Sequence, residues 1–228
     1  MRHGHHGTGP GTITPDGCSV ELYRRIPIGN EPDVIQASVP AGARILELGS
    51  GAGRMTHPLI ERGFSLTCVD ESPEMLDHVT GARTVCSTIE NLDLAETFDV
   101  VMLASFLVHT ARPQDRQALL DTCRRHVGDG GCVLIQREGQ DWHDNVPRER
   151  SNGDGVVRVL SSDPAATGVR SVHVENVYPD GRWTQTFLSR PLTVEQFEDA
   201  LTEAGLVLER YLTDDGIWAR ARPVPVTG

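Results

Sequence analysis

Short apolar runs alternate with segments of helical periodicity through most of the chain. Their length and β-branched content indicate buried strands. The runs fall at about 44–48, 65–70, 83–86, 98–104 and 131–136. Between the last two, a helix is predicted from about Gln114 to His126, stopping at Gly128. This alternation predicts an α/β fold, in which a parallel sheet carries helices on both faces.

The C-terminal part of the chain has its own stop and start signals. Thr193 and Gln196 form the two ends of a capping box, and Gly205 ends the helix that follows. Two last strands are predicted at Val207–Leu212 and Ile217–Arg222, joined by an Asp-Asp-Gly turn. The parallel sheet should therefore close with an antiparallel hairpin.

Residues 156–190 do not follow the strand and helix repeat. They hold three β-type stretches, with a Pro-Asp-Gly turn between the last two, and predict an inserted β-hairpin. Ligands of open α/β sheets bind beyond the carboxyl ends of the strands, where this insertion begins. We expect the hairpin to roof the active site; a solvent-side flap or a dimer arm is the alternative.

The first residues differ in composition from the rest. Residues 1–12 are rich in Gly and poor in apolar side chains, so we expect this N-terminal segment to be disordered. A short helix is plausible within 13–28. Residues 13–228 have the size of one α/β domain, and a single domain is predicted.

The first strand opens at once into alternating glycines. Gly49, Gly51 and Gly53 allow a sharp turn and leave room for a ligand against the backbone. A dinucleotide pyrophosphate favours the spacing G-x-G-x-x-G and a helix N-terminus without negative charge. Here the spacing is G-x-G-x-G, with Glu47 two residues before it and Asp70 ending the next strand. This pattern suits a cationic ligand.

The run from Leu46 to Gly53 resembles the first motif of class I S-adenosylmethionine (SAM) methyltransferases. The chain as a whole resembles small actinobacterial enzymes of specialised metabolism. The resemblance implies SAM as the cofactor. It also implies a Rossmann-like three-layer sandwich, whose mostly parallel seven-stranded sheet has the order 3-2-1-4-5-7-6.

The resemblance further implies which residues bind SAM. Asp70 would accept the ribose hydroxyls, and Thr88 stands where the family usually has an acidic residue for the adenine amino group. Ala104 and Ser105 would lie under the methionine part. The predicted cofactor-binding residues are Glu47, Gly49, Ser50, Gly51, Gly53, Asp70, Glu71, Met75, Thr88, Ile89, Glu90, Ala104 and Ser105.

Methyl transfer from a sulfonium needs placement above all, with a base only where the nucleophile carries a proton. His109 is the best base candidate, because imidazole accepts protons near neutrality; a packing role is the alternative. The candidate catalytic residues are His109 and Tyr23. The residues expected to face the acceptor are Tyr23, His109, Gln136, Arg137, His143, His173 and Trp183.

Composition limits the partners. A net charge of −11 disfavours binding to nucleic acid. The five cysteines include no C-x-x-C pair, and no Cys/His/Asp set has metal-ligand spacing, so we expect reduced thiols and no metal. No apolar stretch approaches the ~20 residues needed to cross a bilayer. A cytoplasmic monomer or homodimer without a membrane partner is predicted.

The sequence thus predicts an enzyme that transfers a methyl group from SAM to an O, N, S or C atom of a small molecule. Three alternatives stay open. The first is a methyltransferase-fold cyclase or SAM-binding module, the second an NAD(P)-dependent oxidoreductase, and the third an enzyme acting on protein or RNA.

Overall fold

The computed structural model describes residues 1–225; the last three positions of the predicted domain, 226–228, lie outside the described residues. The strands are β1 (His6–Thr8), β2 (Arg44–Leu48), β3 (Ser65–Asp70), β4 (Arg83–Cys86), β5 (Phe98–Leu103), β6 (Val127–Gln136), β7 (Arg148–Asn152), β8 (Gly155–Ala166), β9 (Val169–Tyr178), β10 (Gly181–Ser189), β11 (Leu206–Tyr211) and β12 (Trp218–Pro223). The helices are α1 (Val20–Tyr23), α2 (Glu31–Gln36), α3 (Thr56–Glu61), α4 (Pro73–Leu76), α5 (Pro113–His126) and α6 (Val194–Glu203), with a 3₁₀ turn at Leu107–His109.

Seven strands form the central sheet in the order β11-β12-β6-β5-β2-β3-β4. β4, β3, β2, β5 and β6 are parallel, whereas β12 runs antiparallel to both β6 and β11. Numbered along the chain within this sheet, the order is the predicted 3-2-1-4-5-7-6. The predicted strand order and the final hairpin are therefore confirmed.

Side chains alternate across the central strands and fill a separate core on each face. Leu46 and Leu103 pack with the buried helix residue Phe197 on one face. Ile45 and Met102 pack on the other. Both faces of a parallel sheet must be covered in this way, since each is apolar. The predicted three-layer sandwich is confirmed.

A second sheet, which we call the roof sheet, has the order β1-β10-β9-β8-β7 and is antiparallel throughout. The insertion predicted as a hairpin over 156–190 is therefore larger, because four of its strands cover 148–189. The sequence did not predict β7, because its residues, Arg-Glu-Arg-Ser-Asn, are polar and show no strand pattern.

The fifth strand of the roof sheet comes from the segment that was expected to be disordered. Within residues 1–12, β1 pairs with β10, and His6 lies opposite Thr186. Gly7 passes so close to Gly17 that a Cβ would collide with its carbonyl oxygen. The prediction of disorder is wrong for β1, because backbone pairing and glycine contacts hold a segment that has few apolar side chains.

None of the helices described within residues 1–225 is long and apolar enough to span a membrane. All five cysteines are free.

Candidate active site

The turn after β2 is built on three left-handed glycines. Gly49, Gly51 and Gly53 have φ angles of 73°, 56° and 83°, a region that disfavours side chains. The N–H groups of Gly49 and Ser50 donate to the Val69 carbonyl at 2.8 and 2.9 Å, which ties the turn to β3. The Ser50 hydroxyl is buried and has no hydrogen-bond partner among residues 1–225. An orphaned hydroxyl in this turn fits a polar ligand.

Asp70 joins the end of β3 to this glycine turn. Its Oδ2 accepts the Gly51 N–H at 2.8 Å, and its Oδ1 accepts the Ser72 N–H at 3.0 Å. Burial raises the pKa of this carboxyl group. Each carboxylate oxygen keeps a further acceptor position. Two neighbouring ribose hydroxyls match that pair of positions.

Glu47 is a buried carboxyl group below the turn. Its Oε2 accepts the Thr56 hydroxyl at 2.6 Å. It forms no ion pair with Lys or Arg within residues 1–225. Burial raises its pKa to about 7. A cationic ligand would favour its ionised form.

Tyr23 ends α1 and lies against the glycine turn. It packs with Cys18, Ala52 and Met75, and a Cβ on Gly51 would be 3.8 Å from its ring. The neighbouring Cys18 thiol and burial raise the pKa of its hydroxyl well above the usual value. Tyr23 therefore stays a phenol near neutral pH. It can donate a hydrogen bond but accepts no proton as a phenolate.

Two of the acids predicted to bind the cofactor are bridged by Arg2. Its Nε and Nη2 contact the Glu71 carboxylate at 3.0 and 3.2 Å, and its Nη1 lies 3.5 Å from Glu90 Oε1. The bridge brings the N-terminal segment across the ends of β3 and β4. Arg2, from the segment that was expected to be disordered, thus contacts two residues that are predicted to bind the cofactor.

The stretch after β4 holds the other predicted adenine contacts. The Thr88 hydroxyl accepts a hydrogen bond from Asn91 at 2.9 Å. The Ile89 side chain packs beside the core and would contact a Cβ on Gly49 at 3.8 Å. This places Ile89 next to the glycine turn.

Ala104 and Ser105 follow β5 in a strained turn. Ser105 and Phe106 have φ angles of 54° and 60°, which non-glycine residues rarely adopt. Such strain often marks functional sites. The Ser105 N–H donates to Gln136 Oε1 at 2.9 Å. Gln136, predicted to face the acceptor, therefore fixes the turn between the ends of β5 and β6.

His109 is buried, and backbone groups occupy both of its ring nitrogens. Nε2 accepts the Glu138 N–H at 2.9 Å, and Nδ1 lies 3.1 Å from the Arg190 carbonyl oxygen. The ring is therefore a neutral tautomer with its proton on Nδ1. Burial lowers its pKa. No lone pair is free for an acceptor proton, so the geometry fits the packing alternative and not the predicted base.

A hydrogen-bonded chain lies beside His109. His143 Nε2 contacts Glu138 Oε2 at 2.8 Å, and His143 Nδ1 contacts the Ser162 hydroxyl at 2.7 Å. The Ser189 hydroxyl donates to Glu138 Oε1 at 2.8 Å. All four side chains are buried. Only His143 was predicted, although Glu138 follows the end of β6 as Asp70 ends β3.

Three predicted acceptor residues lie elsewhere. Arg137 donates to the Tyr211 hydroxyl and the Leu192 carbonyl, both at 3.2 Å, so the final hairpin holds it. Trp183 is buried and donates to the Pro10 carbonyl at 2.9 Å. His173 contacts Thr186, and both residues lie on the face of the roof sheet opposite to Trp183. The sequence shows which residues of these strands share a face, because side chains alternate. It does not show which of the two faces is turned toward the central sheet.

No group of three or more His, Cys, Asp or Glu side chains within residues 1–225 is arranged to hold a metal ion.

A family model described as a methyltransferase domain matches residues 45–131. Residues 45–131 are therefore similar to methyltransferase domains. An uncharacterized methyltransferase of Mycobacterium tuberculosis is 38% identical over 94 residues, which cover 39% of each chain. A ubiquinone biosynthesis O-methyltransferase of Nitrobacter winogradskyi is 28% identical over 110 residues, covering 45% of this chain and 41% of that protein. The chain thus matches about two fifths of the length of these curated relatives.

Solved methyltransferase structures extend the likeness beyond the domain. A SAM-dependent methyltransferase from Clostridium acetobutylicum has a TM-score of 0.71 at 15% identity and covers 87% of this chain and 93% of its own. The sugar N-methyltransferase KedS8 from Streptoalloteichus has a TM-score of 0.67 at 18% identity and covers 96% and 98%. The predicted family resemblance and fold are confirmed.

Proposed function

We propose that this chain is an enzyme that transfers a methyl group from SAM to a small-molecule acceptor by in-line displacement. The observation that carries the proposal is the glycine turn with its two acids. Glu47 lies below it without a basic partner, and Asp70 closes it from β3. The methyltransferase domain and the named relatives support the same enzyme class and cofactor.

The residues fit SAM in a consistent arrangement. Asp70 would hold the ribose hydroxyls, and the orphaned Ser50 hydroxyl would meet a polar group of the ligand. Once ionised, the Glu47 carboxylate would attract the ligand's positive charge. This attraction is strong because the buried surroundings have a low dielectric constant. Tyr23 would cover the turn from α1. Bound SAM supplies an activated methyl group, and the protein's part is to orient the acceptor and exclude water.

The acceptor belongs on the side of Ser105 and Gln136, beneath the roof sheet. The relatives' names describe different acceptor atoms, since one is an O-methyltransferase of ubiquinone biosynthesis and another a sugar N-methyltransferase. One enzyme of similar structure is an amino pentose methyltransferase involved in calicheamicin biosynthesis. These neighbours support a small molecule of specialised metabolism as the acceptor, without a nucleic-acid partner. We further propose that the protein is a cytoplasmic monomer or homodimer; its free cysteines support the reducing compartment.

Calorimetric titration tests the cofactor. SAM and its demethylated product should bind with at least micromolar affinity and raise the melting temperature by mass action. Tight binding of NAD without binding of SAM would end the proposal in favour of an oxidoreductase. SAM binding without transfer to any of a broad acceptor panel would favour the cyclase or binding module.

A further inference from the structure

With Glu138 as a carboxylate and His143 as a neutral imidazole, the buried chain of Ser162, His143, Glu138 and Ser189 has one consistent set of donors and acceptors. A Glu138 carboxylate accepts from Ser189 on one oxygen and from His143 Nε2–H on the other. His143 Nδ1 then carries a lone pair and accepts the Ser162 O–H at 2.7 Å. This order orients a neutral imidazole to take a proton from Ser162.

Ser162 ends this chain and has one acceptor position left. Arg170 Nε donates to its hydroxyl oxygen at 3.1 Å, and Arg170 Nη2 donates to its backbone carbonyl. A serine oxygen has two acceptor positions, so one is open to a further O–H. Arg170 forms no ion pair with a carboxylate within residues 1–225, so its positive charge beside Ser162 is not neutralised.

The strand register turns Ser162 toward the methyltransferase domain. Ser162 lies opposite Val172, which lies opposite Phe187, so the three share one face of the roof sheet. Ser189 is on that face too, in contact with Glu138. Ser161 lies opposite His173 on the other face.

Aromatic side chains stand beside the same chain. The Trp142 ring meets the His143 ring edge-on at 4.7 Å between centroids, and Phe187 lies 6.5 Å from Trp142. Both Trp142 and Phe187 are only half-buried. Arg148 lies over the Trp142 ring at 4.6 Å, so the aromatic surface left for a ligand is that of Phe187 and the remaining part of Trp142.

We propose, on the basis of the proposed function, that the acceptor is a phenol whose hydroxyl proton leaves through Ser162 to His143. The phenol oxygen forms the new O–CH₃ bond, while the methyl–sulfur bond breaks and leaves its electron pair on sulfur. The phenol proton passes to the Ser162 oxygen as the Ser162 proton passes to His143 Nδ1. Glu138 stabilises the imidazolium formed.

The positive charge of Arg170 favours a hydroxyl acceptor over an amine acceptor. Its guanidinium group stabilises the negative charge that develops on a phenol oxygen and repels an ammonium group. Both Glu138 oxygens already accept hydrogen bonds from His143 and Ser189, and the charged side chain that contacts the Ser162 hydroxyl is Arg170.

Two probes that differ in their need for a base test this assignment. With SAM present, the full chain is assayed on phenol and on 4-nitrophenol, which is largely ionised at slightly alkaline pH. Ser162→Ala and His143→Gln should lower kcat for phenol by ~10²–10⁴, the range of a positioned base. They should lower kcat for 4-nitrophenol much less, because that acceptor arrives without its proton.

The chain offers matched controls on the outer face of the roof sheet. Ser161→Ala and His173→Gln remove the same side-chain types on the opposite face of the roof sheet, where Ser161 lies opposite His173, and should leave both activities unchanged. Calorimetric SAM affinity, measured for each variant, reports whether the cofactor site is intact. If His143→Gln does not fold, Ser162→Ala carries the same comparison.

The outcomes separate this inference from the proposed function. A wild-type protein that does not bind SAM refutes the proposed function itself. One that binds SAM but methylates neither phenol overturns only the phenol assignment. Equal losses on both phenols in the Ser162 and His143 variants would show a structural role and overturn the proton path.

Discussion

Asp70 Oδ2 accepts the backbone N–H of Gly51 at 2.8 Å, which couples the end of β3 to the middle of the glycine turn. This contact means that the acid shapes the ligand-binding turn as well as presenting oxygens to a ligand. Its replacement should therefore affect affinity in two ways at once.

Asp70→Asn should weaken SAM binding by ~10–100-fold, because hydrogen bonds to a charged group are each worth about 1.5–3 kcal/mol. Calorimetric titration measures the change. Asp99→Asn is a matched control, since Asp99 accepts the Arg44 N–H at 2.8 Å at the start of β2, at the other end of the strand. Equal losses in both variants would place Asp70 outside the ribose site.

Glu47 should make the unliganded protein less stable as pH rises. Its folded-state pKa is raised to about 7 from 4.5. The contribution of the protonated Glu47 to the free energy of unfolding is therefore fully present below pH 4.5 and is lost as pH rises to about 7. The loss is on the order of 3 kcal/mol at about 1.4 kcal/mol per pKa unit. Glu47→Gln should be more stable than the wild type at pH 8, and similar at pH 5, in urea denaturation.

The same substitution should weaken SAM binding, because the amide carries no negative charge for the sulfonium. SAM affinity of the wild type should also rise with pH across about 6–8 as Glu47 ionises. A Gln variant that binds SAM as tightly as the wild type over this range would contradict an electrostatic role for Glu47.

The Arg2 bridge should slow the release of SAM. Arg2 and Glu71 are partly exposed, and such pairs contribute about 0.2–1 kcal/mol. Arg2→Gln should therefore speed dissociation by up to ~5-fold in stopped-flow measurements, and added salt should reduce the difference. Arg44→Gln, which breaks the bridge to Glu96 near the start of β2, should leave the rate unchanged. An Arg2 variant with unaltered release at low salt would refute a closing role.

His109 should act through stability. His109→Ala leaves the Glu138 N–H and the Arg190 carbonyl without partners, which should reduce the free energy of unfolding by about 1–3 kcal/mol. Because burial lowers the folded-state pKa of His109, the wild type should lose stability as pH falls below about 6.5, and the variant should lose less. His173→Ala, which removes one hydroxyl contact on the outer face, is the control. A stable His109→Ala protein would contradict the bridging role.

The central sheet could be predicted because each step depends on local sequence. Apolar runs mark β2, β3, β4, β5 and β6, and a capping box marks α6. The glycine turn and Asp70 were predictable for the same reason, since a sharp turn and a strand end are encoded within a few residues.

The roof sheet and its contacts depend on long-range pairing instead. Nothing near Glu138 in sequence indicates Ser189 or Ser162, because the register of β8 and β10 brings them together. His109 was predicted as a base from its residue type. Its actual role depends on backbone groups of Glu138 and Arg190, far away along the chain.

The pairing of β1 with β10 also constrains how the chain folds. His6 meets Thr186 across a separation of ~180 residues, so this contact forms only after Thr186 has been synthesised. Contacts between such distant segments carry a large loop-closure cost and tend to form late. The Rossmann-like core can collapse first on its local β-α units, with residues 1–12 unattached. Competence to retain the cofactor would then be acquired in a late folding step, when β1 docks onto β10.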